Sequence, residues 1–301
     1  MEQFEIISAV SKMQEYMENH LNSPITLREL SRAAGYSQWH SGRIFKEHTG
    51  KTPFEYLRSL RLSKAALVLR DHQPKVIDVA FDFVFDTHEG FTRAFIREFG
   101  ISPKKYSRHP EPIKLFMPVS IRDYYLTLQK GEKIMSEKKV IPVFVQVVER
   151  PERKAIIKRG VKATHYFEYC EEVGCDVWGM LVSVKEAMYE PAGMWLPENM
   201  IKKGTSLYVQ GVEVSKDYSG IIPEGYELID LPACKMMVFQ GEPFEDEKFS
   251  DAIEDVWDVM KKYDPKVYGF EWADDLSPRI QLEPQGYRGY IEARPVRQLN
   301  K

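Results

Sequence analysis

Cysteine is scarce in this chain of 301 residues, where Cys170, Cys175 and Cys234 are the full set. So odd and sparse a set excludes a disulfide framework and predicts free thiols in a reducing cytoplasm. Long apolar runs are also missing: none approaches the ~18 residues that a membrane span needs. The opening MEQFEIISAV has no basic segment followed by an apolar one, so no secretory signal is expected. No Ser-His-Asp arrangement, phosphate-binding glycine loop or zinc-ligand spacing is legible. His40, His48, His72 and His88 are too scattered for a ligand set and read as solvent-facing helix residues. Cys170 and Cys175, with His165 nearby, form a lone C-x4-C on an expected helix and read as buried, inert thiols. These absences predict no enzyme, no catalytic residue, no cofactor and no metal. What remains is a globular composition, 43% hydrophobic and 29% charged. The length suffices for two domains, each with its own core.

The charge is unevenly spread. Residues 20–108 carry 15 Lys and Arg against 9 Asp and Glu, a balance of +6. Residues 111–301 carry 26 against 32, a balance of −6. A basic first third points to a polyanion partner, and the acidic remainder has no such reason to approach nucleic acid.

The first third repeats itself. Arg43, Phe45, Gly50, Pro53, Tyr56 and Arg58 return fifty residues later as Arg93, Phe95, Gly100, Pro103, Tyr106 and Arg108. Upstream, Leu27, Leu30 and Tyr36 correspond to Val76, Val79 and Phe85 at an offset of 49. Each copy reads as a short helix, a tight turn, a second helix and a stop. Thr26 with Glu29 has capping-box spacing, and so does Asp86 with Glu89. Gly35 suits a sharp turn, Ser37 a helix cap, and Gly50 and Gly100 helix stops. Thr52, Pro53 and Glu55 start a further helix that runs to about Leu69, roughly 24 Å long. Such a connector would hold the two helix pairs at a fixed separation. Second helices about 34 Å apart could enter successive major grooves of DNA. Ile44, Phe45, Phe91 and Phe95 read as core, so an all-helical packing module without nucleic acid is the other reading; the polar opposite face and the basic balance separate the two.

The segment from GYSQWHSGRIFKEHTGKTPFEYLRSLRLSKAALVL to VIDVAFDFVFDTHEGFTRAFIREFGISPKKYSR resembles the double helix-turn-helix domain of the AraC/XylS transcription regulators, and most of all the Rob, MarA and SoxS branch. The resemblance covers about residues 5–108 and implies double-stranded DNA as partner, read by a monomer or weak dimer, with RNA polymerase as a further partner. It places DNA contacts at Ser37, Gln38, Trp39, Gly42 and Arg43, and at Thr87, His88, Glu89, Gly90 and Arg93. Gly42 stands where the branch carries Gln, and His88, Glu89 and Gly90 replace a Gln-Gln-Thr run. Val84 stands at the second copy's turn, where the family carries glycine.

Beyond Pro110, Pro112 and Pro118, residues 109–139 read as a connecting arm with a short helix in IRDYYLTLQKGEKI. A second echo follows: VERPERKAIIKRG (148–160) and IDLPACKMMVFQG (229–241) align at an offset of 81. Each is β-rich, each precedes a helical stretch, and each unit closes with strands, SLYVQGVEV and GYIEARPV. The fold class expected is therefore multidomain: an all-α double helix-turn-helix domain, then an α+β domain with an antiparallel sheet, a pseudo-twofold β-α-β-β repeat and a groove between the halves.

EPAGMWLPENM, GTSLYVQGVEV, IPEGYELIDLPACKMMVFQGEPF and IEARPVR resemble the GyrI-like effector-binding domain, over about residues 140–298. That resemblance implies a small-molecule effector, cationic or aromatic as in multidrug binding, held by aromatic walls and a buried carboxylate. Its candidates here are Tyr166, Trp178, Trp195, Tyr208, Tyr268 and Trp272 with Glu283. The family's pocket glutamate aligns with Gln281, and Glu283 lies two residues on, on the same strand face. Ligand in the groove would change how the second domain packs on the first. Some GyrI-like proteins are hydrolases, so an activity resting on Glu283 is the alternative; a partner-docking module is a third reading.

Overall fold

The computed structural model describes residues 2–118, 142–174, 176–245 and 248–299. The helix expected in IRDYYLTLQKGEKI, and Cys175, lie outside the described residues. The chain divides into two compact units, residues 1–131 and 132–301. Among the described residues no helix is long and apolar enough to cross a membrane.

The first unit is all helical: α1 (Glu2–Asn19), α2 (Leu27–Ala34), α3 (Gln38–Thr49), α4 (Pro53–His72), α5 (Val76–Asp82), α6 (His88–Phe99) and α7 (Pro103–Arg108). Local chemistry sets most of the boundaries. Thr26 and Thr52 each close a capping box, with Glu29 and Glu55 respectively. Hydrogen bonds from those threonines hold both glutamates below the usual carboxylate pKa range. Gly50 and Gly100 stop α3 and α6 in the left-handed region. Two boundaries differ from expectation. The cap of α6 is Thr87, whose hydroxyl accepts from the Gly90 amide at 3.0 Å, and not Asp86. Both residues are good caps, and the helix begins one position later than the Asp86 spacing suggested. α4 reaches His72 rather than Leu69, because a polar last turn, Arg70 to His72, continues the helix after its apolar pattern ends. Its 20 residues span about 30 Å.

α4 is buried almost all round, through Leu57, Leu60, Leu62, Ala65, Ala66 and Leu69. Tyr56, Leu57 and Leu60 join one core with Ile7, Val10, Met13 and Met17 of α1, Leu30 of α2 and Phe45 of α3. In the second copy Phe85, Phe91, Phe95 and Tyr106 form a chain of ring contacts with centroids 5.1 to 5.8 Å apart. Residues 109–118 are part of this unit and no free arm: Ile113 and Leu115 are buried. Phe116 packs edge-on to Tyr56 at 4.8 Å, and its amide donates to Ser63 Oγ at 2.7 Å. The prolines masked that apolar pattern.

The two turns of the repeat are superimposable in hydrogen bonding but not in residue type. Gly35 turns at φ 74, with its amide on Arg32 O and that of Tyr36 on Ser31 O. Val84 does the same at φ 61, with amides of Val84 and Phe85 on Phe81 O and Ala80 O. A β-branched residue in that region is strained. Val84→Gly is therefore expected to stabilise the first unit by about 1 kcal/mol. Urea or thermal unfolding measures it, and an unchanged or lower midpoint contradicts the strain.

The second unit contains β1 (Phe144–Arg150), β2 (Arg153–Arg159), α8 (Tyr166–Val173), α9 (Val177–Val182), β3 (Ala192–Trp195), β4 (Tyr208–Ser215), β5 (Glu227–Leu231), β6 (Cys234–Gln240), α10 (Phe249–Lys262), β7 (Phe270–Trp272), β8 (Arg279–Leu282) and β9 (Ile291–Gln298). The sheet order is β1-β6-β9-β8-β3-β4-β2-β5, with β7 beside β9. Every pairing is antiparallel. Read from either end the order is the same under exchange of β1 with β5, β6 with β2, β9 with β4 and β8 with β3. The pseudo-twofold axis passes through the central pair Gly193–Gln281.

Each half begins with one strand more than β-α-β-β, and the second half has a further short strand, β7. VERPERKAIIKRG is two strands, broken at Pro151, and its counterpart breaks at Pro232. The first strand of each half pairs in the other half: β1 with β6, and β5 with β2. Both breaks are tied by one fully buried guanidinium, since Arg153 donates to Pro151 O at 3.2 Å and Pro232 O at 3.0 Å. Helices cover one face. Tyr169 of α8 and Val177 and Leu181 of α9 pack on Ile156 and Val212, while Val256 and Met260 of α10 pack on Met237 and Phe239. On the opposite face Ala155, Ile157, Met194, Val209, Met236, Ile280 and Ala293 form one apolar cluster drawn from both halves.

Candidate nucleic-acid interface and ligand groove

α3 and α6 are each buried on one side and exposed on the other. Ser41, Ile44 and Phe45 face the core in α3, and Phe91, Ala94 and Phe95 in α6. The outer face of α3 presents Gln38, Trp39 and Arg43, with Trp39 72% exposed. The Arg43 guanidinium lies 5.1 Å from the Trp39 ring and 3.6 Å from Glu47. The outer face of α6 presents Glu89 and Arg93, with His88 half-buried. Ser37 and Thr87 hydroxyls accept from the amides of His40 and Gly90, so both cap their helices. A side chain at Gly42 would meet open space, whereas one at Gly90 would press on the Thr87 hydroxyl.

A cleft of 480 Å³ beside the start of α6 is lined by Phe54, Arg58, Arg61, Asp86, Thr87 and Arg93. Arg61 is committed to the carbonyls of Leu21 and Ser23. Arg58 lies over the Phe85 ring at 6.0 Å and is exposed. Arg58 and Arg93 thus set two cations at the cleft. Arg58 was missed as a site residue because its repeat partner, Arg108, cast it as part of a helix start.

In the second unit strand register brings Gln210, Gly193, Gln281 and Glu292 into one row across β4, β3, β8 and β9, on the helix-bearing face. Tyr208, Trp195 and Arg279 form the adjacent row. A Cβ at Gly193 would collide with the Tyr208 hydroxyl and stand 2.9 Å from Gln281 Cγ, so the phenol occupies space that only glycine leaves. Tyr208 is buried, edge-on to Trp195 at 5.1 Å and to Tyr169 at 5.7 Å. Burial, with the Tyr166 phenol adding to it, pushes the Tyr208 pKa well up, so the group stays protonated and able to donate. Tyr208 Oη and Gln210 Oε1 are buried without a hydrogen-bond partner among the described residues.

The buried carboxylate of this face is Glu292. Its Oε2 accepts from Trp257 Nε1 and from Tyr290 Oη, each at 2.7 Å, and its Oε1 accepts from Arg279 Nε. Of the residues expected here, Trp195, Tyr208 and Gln281 are brought together, and Tyr166 stands exposed on α8. Trp178 is half-buried in α9. Tyr268 stacks on Tyr263 at 5.9 Å, and Trp272 packs with Phe239 and beneath Arg294, both on the α10 side. Glu283 lies one residue past β8, exposed and accepting from Gln285 at 3.3 Å. Glu292 was missed, although the duplication carries a signal for it: strand pairing aligns Tyr208 with Tyr290 and Gln210 with Glu292.

Two helix-turn-helix units on a shared helix define a helix-turn-helix protein, and a family model described as a helix-turn-helix domain matches residues 30–109. The Right origin-binding protein of Escherichia coli strain K12 is 42% identical over 96 residues, 32% of this chain and 33% of that protein. The multiple antibiotic resistance protein MarA of Salmonella typhimurium is 33% identical over 92 residues, 31% of this chain and 72% of that protein. Among solved structures, the C-terminal domain of AraT, a response regulator from Geobacillus stearothermophilus, is 26% identical over 33% of this chain and 84% of that one, with a TM-score of 0.32. The chain belongs to the AraC/XylS family, in the branch that holds Rob and MarA. The match spans only a third of the Right origin-binding protein's length.

Proposed function

We propose that the chain is a DNA-binding transcription regulator: its first unit reads double-stranded DNA through α3 and α6, and its second unit binds a small-molecule effector. One observation carries the first half of this reading. A single chain holds two helices with matching caps, matching buried phenylalanines and matching glycine stops, each presenting an arginine outward, Arg43 and Arg93. Arginine at such a position can bind guanine through two hydrogen bonds. Arg58, beside the start of α6, is suited to a backbone phosphate. Because both helices belong to one chain, a monomer can make two groove contacts; RNA polymerase is the partner such a regulator would meet at a promoter.

For the second unit, the support is the row at the pseudo-twofold axis. Tyr208 Oη and Gln210 Oε1, buried and unpartnered, stand beside Trp195, Gln281 and the Arg279–Glu292 pair. Buried polar groups of that kind are satisfied by a ligand where the protein does not satisfy them.

Titration of duplex DNA with the full chain at several salt concentrations tests the reading. A steep loss of affinity with salt is expected, and Arg43→Ala or Arg93→Ala should each cost about 1–3 kcal/mol. Failure to bind any duplex at low salt would sink it.

A further inference from the structure

We infer that Arg279 inverts the charge preference of the side-chain rows at the pseudo-twofold axis, so that the second unit takes a small organic anion, a carboxylate on an aromatic body, in place of an organic cation. The inference rests on the effector reading above and assigns its ligand class.

A cation site of the kind the GyrI-like resemblance implies needs two things, an aromatic face and a buried carboxylate close to it. Both are present here, and both are already taken by the chain's own guanidinium. Arg279 lies with its guanidinium carbon 4.6 Å from the Trp195 ring centroid, the position of a cation over an indole face. Its Nε donates to Glu292 Oε1. The other oxygen of Glu292 is filled by Trp257 Nε1 and Tyr290 Oη, and the carboxylate is fully buried. An incoming cation would therefore meet a neutralised carboxylate and a resident positive charge.

What these two rows of side chains still offer is donors. Only Nε of Arg279 is engaged; its two Nη groups have no protein partner among the described residues, and the side chain is 35% exposed. Tyr208 Oη, buried and unpartnered, belongs to the same row of side chains as Trp195 and Arg279. A guanidinium edge together with a phenol hydroxyl suits a carboxylate. The indole and phenol rings, with Tyr166 nearby on α8, suit an aromatic body.

The test uses the full-length chain with two probes of opposite charge, naphthalene-2-carboxylate and tetraphenylphosphonium, by isothermal titration calorimetry. The carboxylate is expected to bind the native chain at least about tenfold more tightly, as a charge-assisted hydrogen bond predicts. Arg279→Gln should reverse the order, losing the carboxylate and gaining the phosphonium. Since that variant leaves Glu292 bare and could unfold, Glu292→Gln is the companion. It releases Arg279, so carboxylate affinity should hold or rise. If the native chain prefers the phosphonium and Glu292→Gln abolishes its binding, Arg279 swings aside for a cation and the inference is overturned. A native chain that binds neither probe would instead overturn the effector reading itself.

Discussion

Arg153→Met is expected to cost the second unit about 3–5 kcal/mol of stability, because it removes one partner of a buried ion pair and leaves the other. Arg153 is fully buried, and its Nε lies 2.8 Å from Glu213 Oε1. Its remaining donors serve Pro151 O, Pro232 O and, at 3.3 Å, Ser277 Oγ. Methionine fills similar volume and supplies none of these donors. Glu213 keeps only Arg150, at 3.0 Å and nearer the surface. Urea unfolding of the full chain, followed by a signal from the second unit, reads the loss. Adding Glu213→Gln to the methionine variant should recover part of it, since the orphaned charge is then gone. A loss below about 1 kcal/mol would mean that the carbonyls and Glu213 find water instead.

The second large effect falls in the other unit. Phe95→Ala should destabilise it by about 3–5 kcal/mol, as deletion of a buried ring does when the surroundings cannot collapse. Phe95 is fully enclosed and touches three rings, Phe91, Phe99 and Tyr106, at centroid separations of 5.6, 4.7 and 5.8 Å. Burial in that cluster also pushes the Tyr106 phenol up to about 12. Phe99, half-buried at the end of α6, serves as control, and Phe99→Ala should lose clearly less. If the two variants lose equally, the ring cluster is not the core of the second repeat. DNA affinity should fall with Phe95→Ala, because α6 is held in place by that ring.

Much of the first unit was legible because its signals are local. A threonine and a glutamate three residues apart, a proline at the first helical position and a glycine at the stop act within one turn. Their chemistry does not depend on distant contacts. Where two neighbouring residues could both cap, as Asp86 and Thr87 can, spacing alone did not decide. The polar end of α4 was lost for a related reason: apolar periodicity reports a buried face, and a helix continues without one.

The sheet was legible only as a duplication. Which strand lies beside which is set by pairing across long stretches of chain, and Pro151 inside a β-rich run did not announce that the two sides of the break belong to different halves. Glu292 illustrates the limit on the site. In IEARPV it alternates with apolar residues, and alternation alone does not say which face is buried. Its burial becomes intelligible only with Arg279, thirteen positions earlier, and Trp257, thirty-five positions earlier.

The exchange of first strands between the halves of the second unit has a consequence for its assembly. Half of the sheet alone would lack the strand that completes it, because β1 finishes the sheet of the later half and β5 that of the earlier one. The architecture is that of a strand-swapped homodimer written into one polypeptide. Each half alone is short of a strand, so a cut in the loop between β4 and β5 is expected to leave two fragments that regain structure only on meeting each other.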